Sequence, residues 1–190
     1  GHTITIANTH LATTQENRDI QLPFINETLK SSKYPVILGG DMNATPYNST
    51  ISTLDSYGFV RSGKGLNQFT IPSIDPTREL DYICFRPVEK FEVTEHKVIT
   101  GTNASDHLPV ISTIKINRMK KFLLITLLSV LSINWASAQK QDTLRIRVMT
   151  YNLRFGELAS LEQIAEHIKA FKPDFVALQE VDSKTFRERA

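Results

Sequence analysis

Carboxylates, amides and imidazoles recur at one kind of place in this sequence. Short apolar runs end in His10, in Asp41 and Asn43, in Asn152 and in Glu180, while Asp81 opens another such run and Asp106-His107 precede one. Carboxylate and amide oxygens are ligands for a hard divalent cation, and Mg²⁺ takes only one or two protein carboxylates, leaving water and phosphate oxygens to complete its shell. Zinc would require more His and Cys, and the single cysteine, Cys84, sits between Ile83 and Phe85, where a buried strand position is expected. Asp41 and Asn43 lie two positions apart, so on an extended segment both point to one side. One can then hold a water while the other donates to a phosphate oxygen. Adjacent Asp106 and His107 suit a metal and a substrate respectively. His107 needs a carboxylate to set its tautomer, and Asp81 is the candidate. Taken singly, each of these residues has an ordinary explanation as a surface imidazole, a solvating charge or a loop cap. Their joint placement at strand ends carries the reading.

The elements that must position them are legible in the hydrophobic pattern. Thr3 to Ala7 alternates as a half-buried strand and leads into Asn8-Thr9-His10-Leu11. Apolar residues at Ile20, Phe24, Ile25 and Leu29 predict a helix over 15–29, with Pro23 marking a kink or a start. Tyr34 to Leu38 predicts a fully buried strand bounded by Gly39-Gly40, with a plain turn as the ordinary alternative for that pair. Asn48 or Ser49 can cap a short helix through Ile51 and Leu54 that stops at Gly58. A loop is expected from Arg61 to Arg78, with Arg61, Lys64 and Arg78 as solvated surface charges rather than contacts to a substrate phosphate, the alternative. Leu80 to Phe85, Val110 to Ile116 and Leu144 to Met149 predict strands, and Phe91 to Ile99 alternates loosely. Ser160 and Gln163 form a capping box before Leu161, Ile164, Ala165, Ile168 and Phe171 on one helical face. Phe175 to Leu178 then reads as a buried strand. Sheets with helices packed outside them are the expected architecture, an α/β fold.

At 190 residues, 41% hydrophobic and 22% charged, the chain has apolar material for one core. Its net charge of +2 is too mild to indicate a nucleic-acid partner. The segment Met119 to Ala138 stands apart. Lys120-Lys121, the apolar run Phe122 to Ile133 and Ala136-Ser137-Ala138 have the three parts of a secretory signal in order. A transmembrane helix needs about 20 mostly apolar residues, and this run is interrupted by Thr126, Ser129 and Ser132. Export of the segment after Ala138 to the periplasm or the exterior is therefore expected over membrane anchoring. The start at Gly1 and the stop at Ala190 lead to the expectation that both ends are cut.

Asn8-Thr9-His10-Leu11, Gly40-Asp41-Met42-Asn43, Leu80-Asp81-Tyr82-Ile83, Ser105-Asp106-His107, Thr150-Tyr151-Asn152 and Gln179-Glu180-Val181 together resemble the motif set of the endonuclease/exonuclease/phosphatase superfamily. The resemblance implies a two-sheet α/β sandwich of the DNase-like type, incomplete and in permuted order here, that hydrolyses phosphoester bonds with Mg²⁺, or with Mn²⁺ as the alternative. It implies metal-site roles for Glu180, Asn152 and Asp106. It makes Asp41 the group that orients or activates water, Asn43 a phosphate ligand, Asp81 and His107 a catalytic pair, and His10 a contact to the scissile phosphate. Nucleic acid, a phospholipid head group, an inositol phosphate and a nucleotide are all open as substrates. No stable protein partner is expected, although a second chain could complement the first.

Order is where the chain departs from the family. Residues 1–117 match its later part and 139–190 its beginning, with the signal-like 119–138 between them. The middle is absent, and with it any carboxylate to partner His10 and strands of the first sheet. The simplest account joins the tail of one member to the head of a tandem second one, whose Met119 starts a secreted precursor; a circular permutation is the other. An inactive junction fragment and a membrane-anchored non-catalytic protein are the competing functional expectations.

Overall fold

The computed structural model describes residues 3–63, 65, 68–117 and 144–181. Among them are eight strands in two four-stranded sheets and three α-helices. The first sheet has the order β1 (Thr5–His10), β2 (Val36–Asp41), β4 (Asp81–Arg86), β3 (Val60–Arg61); the second runs β5 (Phe91–Val98), β6 (Val110–Ile116), β7 (Leu144–Asn152), β8 (Phe175–Gln179). β1 and β2 are parallel, as are β7 and β8, and the remaining ladders are antiparallel. This is an α/β sandwich, as expected. The segment 144–181 completes the second sheet through the β6–β7 ladder, which pairs Val110 with Thr150 and Ile116 with Leu144. The signal-like Met119–Ala138 lies outside the described residues; among the described ones no helix is long and apolar enough to cross a membrane.

Strand periodicity sets the layers. Along β2, Val36 and Leu38 face α1 (Gln15–Lys30) and α2 (Ser49–Ser56), where they join Leu22, Ile51 and Leu54, while Ile37 faces the opposite sheet. On β4, Tyr82 and Cys84 turn to the helices and Ile83 and Phe85 inward, against Ile114, Ile116, Ile146 and Val148. Met149 and Tyr151 of β7 turn outward, Tyr151 packing with Ile164 of α3 (Leu161–Ala170). Each fully buried Leu, Ile or Val contributes roughly 1.5–3 kcal/mol, so the alternation enforces both register and layer order. Carrying this parity to the strand ends places His10, Asp41, Asp81 and Asn152 on the inter-sheet side, at one end of the sandwich.

Several local expectations are corrected. Gly39-Gly40 is not a turn: both glycines are buried within β2. A Cβ on Gly40 would stand 2.0 Å from the Thr9 carbonyl oxygen, and one on Gly39 3.1 Å from Ala177 Cβ, so two bare positions let β1 and β8 close in. The first helix runs through Pro23, but its inward face carries Arg18 and Leu22, whereas Ile20 and Phe24 are 69% and 75% exposed. Arg18 is tolerated inside because Thr50 Oγ1, Gln15 Oε1 and the Ala12 and Thr13 carbonyls accept from it. β3 was missed because its two residues are too short to show a period. The loose alternation of β5 is a β-bulge between Val93 and Glu95. Phe175 is exposed rather than buried, since β8 is a sheet edge among the described residues. Both caps formed as expected: Asn48 accepts from Thr50 N–H, and Ser160 and Gln163 complete the capping box.

Candidate active site

β2 delivers Asp41 to the end of the sandwich, 1% exposed, and antiparallel β4 brings Asp81 directly opposite it in register. Asp81 Oδ2 stands 2.8 Å from His107 Nδ1, as anticipated. The same carboxylate accepts from the Thr70 hydroxyl, which itself accepts from Leu80 N–H. Leu108 N–H donates to the Thr70 carbonyl, so the segment carrying His107 and the one carrying Thr70 are tied together. Held in this way, His107 turns Nε2 toward Asp41 Oδ2, 3.9 Å away.

On the other side, Asn152 Nδ2 donates to Asp41 Oδ2 at 3.0 Å and to Glu180 Oε1 at 3.1 Å. His10 Nε2 lies 3.5 Å from Asp41 Oδ2 and 3.6 Å from Glu180 Oε1. The expectation that His10 lacks a carboxylate is therefore corrected: parallel pairing sets it beside Asp41, and β8 brings Glu180 within reach. Asn43 Nδ2 sits 3.1 Å from His10 Nε2 and donates to the Leu11 carbonyl. Asp41 and Asn43 share a side for a different reason than the one anticipated. Asn43 is not extended but has φ +46, and its N–H donates to Asp41 Oδ1 in an Asx turn, a conformation that asparagine tolerates.

Asp106 is held at 3.1 Å by Arg154, whose N–H donates to Asn152 Oδ1. Ser105 Oγ donates to the Asn152 carbonyl and accepts from His107 N–H. Arg154, Ser105 and Thr70 were missed as positioning residues. Ser105 and Arg154 flank the singled-out Asp106 and Asn152 closely enough to have been noticed; Thr70 lies in a stretch read as loop. All eight candidate residues thus belong to one hydrogen-bonded or ion-paired assembly drawn from 10–107 and 152–180.

Burial raises the Asp41 carboxyl to about 6, reinforced by the Asp81 charge and opposed by His107. For His107, burial acts downward, but the Asp81 hydrogen bond and the charges of Asp81, Asp41 and Asp106 outweigh it and bring the imidazole up to about 9. The folded chain therefore keeps a proton on His107 that the unfolded chain releases near 6.5. This stabilisation is complete below pH 6.5 and is lost as pH rises through 9, on the order of 3 kcal/mol. Metal-free melting temperatures should accordingly fall between pH 6.5 and 9, and His107→Gln should flatten that slope; an unchanged slope would refute the pairing.

Two places could take a cation. Ligand atoms of Asp41, Asp81 and His107 all lie within 4.8 Å of one another. The 2.8 Å Asp81–His107 contact, however, is a hydrogen bond that holds a proton where that ion would have to bind. The second place fits better: oxygens of Asp41 and Glu180 converge on one Asn152 amide nitrogen. Two carboxylates drawn to one point repel each other without a cation and suit a hard one.

Residues 4–107, more than half the chain, match the model of the Endonuclease/Exonuclease/phosphatase family. No curated protein matches significantly. Among solved structures, an endonuclease/exonuclease/phosphatase family protein from Bacteroides thetaiotaomicron is 23% identical over 53% of this chain and 45% of its own, with TM-score 0.46. Mannosyl-6-phosphatase Bt3783 from Bacteroides thetaiotaomicron is 21% identical, covering 53% and 47%, with TM-score 0.43. The human Nocturnin catalytic domain with bound sulfate is 19% identical, covering 61% and 47%, with TM-score 0.47. The chain spans less than half the length of each of these. On the family match, and with the motif residues assembled at one end of the sandwich, the chain belongs to the endonuclease/exonuclease/phosphatase family.

Proposed function

We propose that this chain hydrolyses a phosphoester bond. The observation that supports it most is the buried facing of Asp41 Oδ2 and His107 Nε2 across 3.9 Å, with Nδ1 of the same imidazole anchored on Asp81. Asp41 orients a water and accepts its proton as the water attacks phosphorus; His107 donates from Nε2 to an oxygen of the phosphoryl group or of the leaving alcohol. His10 and Asn43, side by side at the more open rim, hold the remaining phosphoryl oxygens. Glu180 and Asn152, beside Asp41, are the residues proposed to hold Mg²⁺, or Mn²⁺ in its place, and Asp106 joins them on the family resemblance, although it pairs with Arg154 here. A bound ion there would neutralise charge on the phosphoryl oxygens and favour ionised water.

Nucleic acid, phospholipid head group, inositol phosphate and nucleotide are the substrate classes proposed at this level. Export of the segment after Ala138 is proposed on the sequence of Met119–Ala138. Should cleavage follow Ala138, the β6–β7 ladder is the contact through which the two pieces would complement one another.

Hydrolysis of a chromogenic phosphodiester by the purified chain, with Mg²⁺ and then with EDTA, tests the reading. Turnover with Mg²⁺ and its loss in EDTA are expected. Absence of turnover in either condition would mean that the chain is an inactive junction between two family members.

A further inference from the structure

A cavity of about 570 Å³ opens beside the candidate site between the loop after β2 and the connection from β3 to β4. That volume lies within the range of small-molecule sites. Its walls are built, not incidental. Tyr82 Oη donates to the Ala44 and Glu79 carbonyls and pins one wall to the other. The bridge between Ile71 and Arg78 fixes the hairpin that carries Phe69. The walls are also continuous with the catalytic residues: Thr45 follows Asn43 by two positions, Glu79 precedes Asp81 by two, and Phe69 adjoins Thr70.

Arg61 contradicts the expectation of a solvated charge. Its side chain is only 10% exposed and pairs with Asp55, because β3 draws it against Cys84 and under the hairpin. The Arg61 side chain lines this cavity together with Glu79, itself 7% exposed, and its Nε is buried behind that wall without a hydrogen-bond partner among the described residues. A buried N–H left without a partner is costly, so the guanidinium in this wall is not fully satisfied by Asp55 and stands beside a carboxyl that accepts. At the mouth are two aromatic rings, Tyr47, 95% exposed, and Phe69, 42% exposed.

We propose that this cleft binds the nucleobase of the phosphoester, its flat face on Phe69 and Tyr47 and its polar edge on the Arg61 guanidinium and Glu79. The proposal rests on the hydrolytic reading for its link to the scissile phosphate. A base supplies what the cleft lacks: a π face for stacking and an edge on which acceptors and donors alternate. The other substrate classes fit less well. A quaternary ammonium head group meets the Arg78 guanidinium, and an inositol polyphosphate meets Glu79 and an Arg61 already paired with Asp55.

Binding of AMP and GMP to the full chain in EDTA, against ribose 5-phosphate as the base-free control, tests this by calorimetry. At least about tenfold tighter binding of the nucleotides is expected, with Phe69→Ala and Tyr47→Ala each removing several-fold of that preference. Both positions are exposed enough for the variants to fold, which their melting curves check. A dinucleotide compared with AMP separates a strand end from a free nucleotide, since both carry the base. Equal affinity for ribose 5-phosphate, no nucleotide binding, or a preference that survives in the double variant would overturn the proposal. Because no turnover is read, failure here leaves the hydrolytic reading standing, and failure of hydrolysis leaves this test intact.

Discussion

His107→Ala lowers phosphodiester turnover by about 10²–10⁴-fold, the range associated with a positioned proton-transfer group. The loss comes at the chemical step, because the imidazole is buried between Asp81 and Asp41 and supports no strand ladder. Asp81→Asn should approach the same loss with the ring still in place. An asparagine oxygen can accept from Nδ1, but it carries no charge to sustain a proton on the ring, and its amide nitrogen can impose the opposite tautomer. Thr70→Val should cost less, about tenfold, since it removes one donor to Asp81 and leaves the Leu80 N–H without its acceptor. That ordering separates a catalytic imidazole from a structural one: a merely structural His107 would show its loss in melting temperature and not in turnover. Near-normal activity in both His107→Ala and Asp106→Ala would remove the hydrolytic assignment.

What could be read from the sequence follows from where the information is local. Period-2 runs disclosed the strands, and the residues at their ends disclosed the site, because parity along a strand decides which side of the sheet an end residue faces. Asp81 beside His107 was legible on chemical grounds alone. Thr70 and Arg61 were not. Both sit in 61–78, where no hydrophobic period exists to reveal a hairpin folded over β4, and only the tertiary structure shows that one touches Asp81 and the other is buried. Asn43 illustrates a third kind of difficulty. Its proximity to Asp41 was right, but the geometry came from an Asx turn, since asparagine suits extended and left-handed backbone alike. The carboxylates beside His10 were illegible for a different reason: Asp41 reaches it from the paired strand β2 and Glu180 from the end of β8 in the opposite sheet, and no local pattern specifies either approach.

Gly40→Ala should be among the most destabilising single substitutions in this chain, costing more than about 3 kcal/mol, at the upper end of overpacking effects. Its Cβ would lie 2.0 Å from the Thr9 carbonyl oxygen and 2.9 Å from the carbonyl carbon, and both are backbone atoms, so no rotamer change relieves the clash. Thr9 is the register partner of Gly40, hence β1 must move away from β2 where the two strands approach the site. Neighbouring bonds resist that movement: Asn8 donates to the Leu178 carbonyl and accepts from Gln179, while His10 is next along the strand. Gly39→Ala provides the internal control. Its added methyl meets Ala177 Cβ at 3.1 Å, a side-chain contact that yields by a few tenths of an ångström, so a much smaller loss is expected. Denaturant midpoints for the two variants decide the matter, and equal midpoints would show that β1 does not need this close approach. Where Gly40→Ala does fold, the displaced strand carries His10 away from Asp41 and Glu180, and turnover should fall with stability although no catalytic side chain has been changed.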